Sequence, residues 1–490
     1  MNRRLLFTAL FLALAAVPTR AQDASTDALR RELTSILQDA TTSNGWWGVS
    51  VVDLDRGESL FSQSPGKSFI PASNTKLYTT ASALTLLGAD FRYRTVLHAS
   101  GPVENGRLQG SLIVRGSGDP SFGPRFSGDA TLVFRQWADS LRALGITTIA
   151  GDVVGDDDLF DEVPLGNGWS WDDEPFWYSA EISGLSYFDN TIDFTVKAST
   201  SGQPGRLSWE PISTSYIDVV NATRTIPRGE RLDEDYHRDR GTNRFRIGTA
   251  VPEGGSDLES LTVSNPTLYF VHVFREALVA SGIVVLGNPR DIDDLSFKPD
   301  YAALTRVATH VSPPLAEIVK VVNKPSQNLY AEQLLRTMGA HARGEGSADA
   351  GWKAAMPFLV LAGIDTTRIQ LTDGSGLSRT NLVTPDMTVS LLRHVWTQAS
   401  RSVRDAFVES LPIGGVDGTL SARFREGHAR GNVRAKTGTV SNVSSLSGYV
   451  TTAGGSHLAF SIMSNHFTSP ASSSRAVQDR IVEALARFGR

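Results

Sequence analysis

Apolar residues recur at helical spacing near the start of the chain. Leu29 and Leu33 belong to a pattern that predicts an amphipathic helix over residues 28–39. Residues 47–61 form two strand-like runs around a turn and predict a β-hairpin. Residues 73–87 form a second helix-like run, which ends before a glycine. The N-terminal part of the chain is therefore expected to contain both helices and paired strands.

Residues 93–306 have a different pattern. Short β-branched runs alternate there with turns rich in Gly, Asp and Pro, which predicts strands. The predicted strands cover residues 111–115, 149–154, 191–196 and 244–249. Two helices interrupt them, over residues 131–144 and 266–281, the second with Asn265 as N-cap and Pro266 in its first turn.

The C-terminal part returns to a helical pattern. Ser312 and Thr384 each precede a proline and are expected to cap helices. A hairpin and a closing helix are predicted over residues 440–451, 457–464 and 476–488. The simplest organisation is one domain of helices and sheet, split in sequence by a large insertion, because insertions are tolerated where chain ends lie close together at a surface.

Composition excludes several classes of protein. With 40% apolar and 20% charged residues, the 490-residue chain is globular rather than disordered. Its formal net charge of −5 argues against a nucleic-acid-binding protein, which usually has a basic excess. The absence of cysteine excludes disulfides, thiolate metal sites and a cysteine nucleophile. The nine histidines show no close metal-binding spacing, so we interpret them as structural or surface residues.

The N-terminus has the layout of a secretory signal peptide. Arg3 and Arg4 precede an apolar run over residues 5–17, and Ala21 ends a small-x-Ala sequence. The alternative is an uncleaved anchor. No other stretch reaches the length of about 18 apolar residues that a spanning helix needs. We therefore expect residues 1–21 to be removed and the mature chain, with a net charge of −8, to be soluble in the periplasm.

Lysine is rare, with eight among 490 residues, so motifs that need lysine are informative. Ser-x-x-Lys occurs twice. Ser64 and Lys67 flank a Pro-Gly turn that cannot hold a helix, whereas Ser73 and Lys76 start a predicted helix and share one of its faces. A serine hydroxyl needs an adjacent base, and a lysine amine can be that base if burial lowers its pKa. The alternative is a capping serine beside an ordinary surface lysine.

Two more short motifs occur once each. Ser326 and Asn328 form a Ser-x-Asn sequence before a helical run, and Lys436 begins a Lys-Thr-Gly sequence that Thr439 follows. A lysine beside hydroxyls on an edge strand can bind a carboxylate, and Gly438 would let a substrate backbone approach closely. The alternatives are a helix cap and an exposed strand edge guarded by a lysine.

The three motifs in this order are typical of penicillin-binding proteins and serine β-lactamases. The chain resembles the class C low-molecular-mass penicillin-binding proteins, which are D-alanyl-D-alanine carboxypeptidase/endopeptidases, over nearly the whole mature chain. The stretches that carry this resemblance are residues 71–77, 323–332, 373–379 and 415–420. In this family two extra domains, one nested in the other, separate the first two motifs, and here the separation is 253 residues. Gln327 stands where many relatives carry an acid.

The resemblance implies an α+β fold, in which an antiparallel sheet is flanked by helices and Lys436 lies on an edge strand. Residues 22–90 and 309–490 would form the catalytic domain. Residues 91–308 would form a β-rich insertion of two subdomains, the inner one over about 190–265. The β-lactamases have no comparable insertion.

The resemblance also implies roles for the motif residues. Ser73 attacks the penultimate D-Ala carbonyl of a peptidoglycan stem peptide, Lys76 takes its proton, and Ser326 relays a proton to the leaving amine. The residues expected to bind substrate are Asn328, Lys436, Thr437, Gly438 and Thr439. The backbone N–H groups of Ser73 and Thr439 would form the oxyanion hole. Stem peptides are the expected substrates, β-lactams are expected covalent inhibitors, and no metal or organic cofactor is implied.

The resemblance also bears on substrate specificity. In relatives, an acid from the inserted region meets the free amine of the stem's diamino acid. Residues 168–173 resemble that segment, and the register favours Asp173 over Asp172. The alternative is a solvated aspartate pair in an aromatic loop.

For the whole protein, the alternative functions are a β-lactamase and a cell-wall-binding protein without activity.

Overall fold

The computed structural model describes residues 18–39, 44–211, 214–296 and 298–489, with backbone only for residues 18–23. The first 17 positions of the expected signal peptide lie outside these residues, and its remainder starts the first helix. Within the described parts, no helix combines the length and the apolar character needed to span a membrane.

The described elements follow the predicted alternation of helical and strand-rich regions. The helices are α1 (Pro18–Leu37), α2 (Thr75–Leu87), α3 (Pro124–Ser127), α4 (Leu132–Ala143), α5 (Pro266–Ala280), α6 (Leu315–Asn323), α7 (Asn328–Arg343), α8 (Ala348–Leu361), α9 (Pro385–Thr397), α10 (Arg401–Ser410) and α11 (Ala471–Arg487). The strands are β1 (Trp46–Asp53), β2 (Glu58–Gln63), β3 (Arg94–Ala99), β4 (Val103–Glu104), β5 (Arg107–Leu108), β6 (Leu112–Arg115), β7 (Thr148–Ile149), β8 (Val153–Asp156), β9 (Thr191–Lys197), β10 (Arg206–Glu210), β11 (Asp218–Asn221), β12 (Arg224–Ile226), β13 (Tyr236–Arg238), β14 (Arg244–Ile247), β15 (Ala250–Pro252), β16 (Ser256–Thr262), β17 (Val284–Val285), β18 (Pro289–Asp291), β19 (Thr305–Val311), β20 (Arg434–Val440), β21 (Val443–Thr451) and β22 (His457–Asn465).

A five-stranded antiparallel sheet organises the two ends of the chain. Its strand order is β2-β1-β22-β21-β20, so β1 pairs on one side with its neighbour β2 and on the other side with β22, more than 400 residues further on. Strand β20 lies at one edge, where Lys436 pairs with Ser447 of β21. Because side chains alternate along a strand, Lys436 and Gly438 are buried while Thr439 is exposed.

Helices cover both faces of this sheet. On one face, α1 and α11 pack on Val49, Val51 and Ile462. On the other face, Tyr449 and Met463 share a cluster with apolar residues of α2 and α6–α10. Ten of the 13 residues of α2 are buried, so this helix lies inside the domain rather than on its surface. The chain therefore has the α+β fold that was expected.

A β-rich insertion separates the two halves of this domain. Strands β3, β6, β8, β18 and β19 form a mixed sheet, and β9 to β16 form three smaller sheets among themselves. One apolar cluster nevertheless joins both groups, since it contains Leu97 and Val153 as well as Phe194 and Phe245. The exact domain boundaries and the division into two subdomains stay predictions.

Three local predictions are wrong. Residues 149–154 are not one strand, because residue 149 ends β7 and residue 153 begins β8, and these two strands belong to different sheets. Ser312 does not cap α6; its hydroxyl accepts a hydrogen bond from the Tyr93 N–H at 2.9 Å, and the helix begins at Leu315. Residues 440–451 are not one strand, because a turn at residues 441–442 ends β20 and starts β21. By contrast, Thr384 caps α9 as predicted, accepting from the Met387 N–H at 3.1 Å.

Candidate active site

Ser73 lies on a short 3₁₀ turn, Ala72–Asn74, directly before α2. The preceding Ala72 is buried and has a φ of 48°, a left-handed conformation that costs energy for a residue with a Cβ. Ser73 is partly exposed, although its neighbours on both sides are buried. The turn therefore holds one hydroxyl toward solvent from an otherwise closed region of the core.

Lys76 lies beneath this hydroxyl and is fully buried. Its Nζ donates hydrogen bonds to Ser73 Oγ at 3.0 Å, to Asn328 Oδ1 at 2.6 Å and to the Ser375 carbonyl at 2.7 Å. The predicted i, i+3 pair is thus in contact. The 3.0 Å separation is short enough for direct proton transfer between the two side chains.

Burial lowers the pKa of Lys76 to about 7, although the nearby carboxylates of Asp373 and Glu332 oppose this shift. Removal from water penalises the charged amine, and the opposing carboxylates keep the pKa close to neutrality. A large share of Lys76 is therefore neutral near pH 7, as a general base requires.

Ser326 and Lys436 form the opposite side of the site. Lys436 Nζ donates to Ser326 Oγ at 2.8 Å and to the Thr437 carbonyl at 2.9 Å. Burial, and then the positive charge of Lys76, lowers the pKa of Lys436 well below its usual value. Ser326 itself has a left-handed φ of 67°, which sets its side chain at the start of α7.

Asn328 bridges the catalytic lysine and the insertion. Its Oδ1 accepts from Lys76, and its Nδ2 donates to the Tyr178 carbonyl at 2.6 Å. Residue 178 belongs to the segment between β8 and β9. The second motif is therefore held from two sides of the cleft.

Gly438 allows a close approach that differs from the expected one. A Cβ at this position would lie 2.2 Å from Ser445 Oγ, 2.6 Å from the Pro71 carbonyl and 3.0 Å from the Ser73 backbone nitrogen. The glycine thus makes room for the protein's own nucleophile turn. An approach by a substrate backbone at this strand stays a prediction.

These groups open onto one cleft of about 660 Å³. The predicted residues that line it are Ser73, Ser326, Asn328, Thr437, Thr439, Asp172 and Asp173. Lys76 and Lys436 lie buried behind the serines. Asp173 accepts from the Tyr178 hydroxyl at 3.0 Å, and burial raises its pKa. The structure therefore brings all the predicted site residues together.

A loop over residues 373–378, within one of the stretches that carry the family resemblance, supports the catalytic lysine. Glu332 is fully buried and accepts from the backbone N–H groups of Gly374 and Ser375 at 3.0 and 2.8 Å. Asp373 accepts from the Gly376 and Ser378 N–H groups, which closes the loop around its own carboxylate. The loop presents the Ser375 carbonyl to Lys76. Its Asp-Gly-Ser-Gly sequence is typical of a structured loop, but a sequence pattern does not reveal the contact with the lysine.

Comparison with known proteins agrees with this geometry. The sequence model of the D-Ala-D-Ala carboxypeptidase 3 (S13) family matches residues 29–488. The chain belongs to this family. It is 36% identical over 473 residues to a D-alanyl-D-alanine carboxypeptidase of Actinomadura sp. (strain R39), covering 94% of this chain and 85% of that protein.

Solved structures show the same fold. Penicillin-binding protein 4 of Haemophilus influenzae superposes with a TM-score of 0.78 at 25% identity, covering 92% of this chain and 98% of that one. A second crystal structure of that protein, complexed with a novel β-lactam, gives a TM-score of 0.73 at 25% identity, with 94% and 100% coverage.

Proposed function

We propose that the protein is a serine D-Ala-D-Ala carboxypeptidase, and also an endopeptidase, that cleaves peptidoglycan stem peptides and is acylated by β-lactams. The observation that carries this proposal is the contact between Ser73 Oγ and the buried Lys76 amine in an open cleft. Family membership and the carboxypeptidase relative support it.

Acylation follows from the positions of three side chains. Neutral Lys76 takes the Ser73 proton as Oγ bonds to the carbonyl carbon of the penultimate D-Ala. The charge that develops on the carbonyl oxygen would be stabilised by the Ser73 and Thr439 N–H groups. The C–N bond then breaks as Ser326, which is hydrogen-bonded to Lys436, gives its hydroxyl proton to the departing amine of the terminal D-Ala. The proton that Lys76 took from Ser73 replaces it on Ser326, so Lys76 returns to its neutral form.

Deacylation regenerates the enzyme. Water attacks the ester carbonyl, its proton passes to the active-site base, and the C–O bond to Ser73 breaks as Oγ regains a proton. In the substrate complex, Asn328 would hold the substrate amide, and Lys436, Thr437 and Thr439 would hold the terminal carboxylate. A β-lactam presents its carboxylate and reactive amide to the same groups.

Penicillin labelling tests the acyl-enzyme directly. A fluorescent penicillin should form a stoichiometric, long-lived adduct that peptide mass spectrometry assigns to Ser73. Ser73→Ala should form no adduct, whereas the matched control Ser64→Ala, in the other Ser-x-x-Lys sequence, should be labelled normally. An adduct on the Ser73→Ala protein would overturn the assignment.

Muropeptide digests test the substrate. After incubation with the enzyme, mass spectrometry should show pentapeptide stems shortened by one alanine and cross-linked dimers converted to monomers. Unchanged muropeptides together with normal penicillin labelling would contradict the peptidase activity and favour a wall-binding protein.

A β-lactamase is the second candidate, because it uses the same serine and lysine motifs. The two functions differ in deacylation, which is rapid in a β-lactamase. Release of hydrolysed penicillin over many turnovers, without a stable adduct, would favour this alternative.

We also propose that the protein is exported across the inner membrane and acts in the periplasm. The support is the sequence pattern of residues 1–21 and the location of peptidoglycan outside that membrane. N-terminal sequencing of the protein from a periplasmic fraction should begin at Gln22. Retention in the cytoplasmic fraction would contradict export.

A further inference from the structure

A strained turn in the insertion lies directly behind the second catalytic motif. Phe188, Asp189 and Asn190 have φ values of 51°, 55° and 55°, three successive left-handed residues of which none is glycine. Such backbone conformations cost free energy and persist where the surroundings impose them. The residues packed around this turn must therefore hold it in place.

Fixed contacts hold the turn on both sides. The Phe188 N–H donates to the Phe122 carbonyl at 2.8 Å. Asn190 is fully buried, accepts from the Tyr187 N–H at 3.1 Å and donates to Ser186 Oγ at 3.0 Å. Because both neighbours of Asp189 are fixed by hydrogen bonds, the direction of its side chain is fixed as well.

The Asp189 side chain contacts Gln327, the middle residue of the Ser-x-Asn motif. Gln327 Nε2 donates to Asp189 Oδ2 at 2.9 Å, while Gln327 Oε1 accepts from the Leu329 N–H at the start of α7. Ser326 precedes Gln327, and Asn328 follows it. One amide side chain thus connects the insertion, the helix start and the catalytic turn.

The carboxylate of Asp189 is bound by more than one donor. Arg125 Nε donates to Oδ2 at 2.8 Å, and a second guanidinium nitrogen contacts the same oxygen. Tyr330 lines the same cavity as Asp189, and burial, followed by the Asp189 charge, raises the pKa of Tyr330 well above its usual value. These groups line a second cavity of about 560 Å³, behind the turn that holds Ser326.

We infer that Asp189 is a positioning residue, which acts through Gln327 to fix Ser326 for proton transfer. This inference rests on the proposed function. Asn328 is already held by Lys76 and by the Tyr178 carbonyl. Ser326 has a left-handed φ of 67° and accepts a hydrogen bond from Lys436 on the cleft side, while the next residue, Gln327, is held by Asp189.

The chemistry of residue 327 matches this role. An amide both donates to Asp189 and accepts from the helix N-terminus, which a carboxylate cannot do unless it is protonated. Gln327→Glu keeps the acceptor for Leu329 but places a second carboxylate against Asp189. Arg125 offsets part of this repulsion, and the further carboxylate of Asp193 lines the same cavity and increases it.

The first experiment measures the second-order rate of penicillin acylation against pH. Two adjoining carboxylates share a proton more readily as pH falls. The ratio of Gln327→Glu to wild-type rates should therefore be about 0.1 or lower at pH 8 and rise toward one near pH 5.5, since misplacing a reacting group can cost about a hundredfold. A ratio that is constant with pH would overturn the inference.

Exchanging the carboxylate and the amide between positions 189 and 327 tests whether their hydrogen bond, rather than a general loss of stability, controls acylation. In Asp189→Asn/Gln327→Glu, the asparagine amide can donate to the glutamate, and Asn tolerates a left-handed backbone. We expect this double variant to acylate within about threefold of wild type. The matched control Asp193→Asn removes a carboxylate of the same cavity that is bonded to Ser260 instead, and should leave the rate unchanged. No recovery in the double variant would contradict the proposal.

A double-mutant cycle identifies the residue through which Asp189 acts. Asp189→Gly removes the carboxylate and keeps the left-handed backbone accessible. It should slow acylation at least tenfold in the wild type but less than twofold in a Ser326→Ala background. Thermal unfolding curves check that each variant is folded. Equal losses in both backgrounds would overturn the role of Ser326. Absence of any adduct on the wild-type protein would instead overturn the proposed function.

Discussion

At the scale of residues, the site depends on two buried lysines in different electrostatic surroundings. Lys76 faces Asp373 and Glu332, which hold its pKa near 7 against the effect of burial. For Lys436, the neighbouring charge is the like charge of Lys76, so both burial and repulsion lower its pKa. The two carboxylates thus oppose the lowering of the pKa at Lys76, beside the nucleophile, whereas no carboxylate of the described residues does so at Lys436, beside Ser326.

The pH dependence of acylation should reflect Lys76. A base with a depressed pKa is active in its neutral form, so the acylation rate should rise as pH increases through about 7 and then level. Lys76→Arg should stay folded but lose about a hundredfold or more in this rate, because the guanidinium remains protonated. Stopped-flow acylation by penicillin from pH 5.5 to 9 measures both effects. Near-normal acylation of the variant would indicate another base.

Substrate selectivity should depend on Asp173, which lines the cleft and is bound by the Tyr178 hydroxyl. Asp173→Asn should slow cleavage of stems that bear a free amine about tenfold, because a partly desolvated charge pair is lost. Simple D-Ala-D-Ala peptides and penicillin lack that amine and should react nearly as before. Asp172→Asn is the matched control, since Asp172 is more exposed. Equal losses on both substrate classes would mean that Asp173 has a structural role.

At the scale of elements, the first and third motifs are packed directly against each other. The edge strand β20 contacts the nucleophile turn because Gly438 has no side chain. The same turn is approached from the other side by Gly376, where a Cβ would lie 1.9 Å from the Ala72 carbonyl. Two glycines from distant parts of the chain therefore allow the nucleophile turn to be enclosed.

Gly438→Ala should separate β20 from this turn. The new Cβ would meet backbone and side-chain atoms at 2.2–3.0 Å, so we expect a loss of about 1–3 kcal/mol in unfolding free energy and slower acylation. Gly66→Ala is the control, because the nearest atom to a Cβ there lies 3.8 Å away. Chemical denaturation and penicillin acylation measure the two effects. A Gly438→Ala protein with wild-type stability and rate would contradict this account.

At the scale of the whole molecule, the cleft lies between the catalytic sheet and the insertion. Ser73 and Thr439 come from the two ends of the chain, whereas Asp173 and Tyr178 come from the segment between β8 and β9. The two chain ends are themselves joined, since Ser25 Oγ donates to the Gly489 carbonyl at 3.1 Å. The insertion is thus part of the active site rather than an independent appendage.

Limited proteolysis should reveal the insertion without dismantling the catalytic core. Arg228 and Arg231 are exposed between β12 and β13, whereas Arg238 is only 4% exposed and should resist trypsin. We expect nicks at the exposed sites, with the fragments remaining associated on native gel filtration and still labelled by penicillin. Cleavage confined to the ends of the chain would contradict this arrangement.

Much of the fold could be predicted because its signals are local. The hydrophobic period gave α2 and α5, and proline with a capping side chain gave the starts of α5 and α9. The same reasoning failed at Ser312, where the hydroxyl binds the Tyr93 N–H, 219 residues away, instead of a helix N-terminus. A residue's own neighbours in sequence cannot reveal such a competing partner.

The amino-acid sequence alone specifies the serine–lysine pair of the site, because side chains three residues apart at a predicted helix start are neighbours. The protonation state of that lysine depends instead on tertiary packing. Its burial and its contacts with Asn328 and the Ser375 carbonyl join positions 252 and 299 residues apart. A pKa depends on the surrounding dielectric and charges, and these exist only once distant segments have packed together.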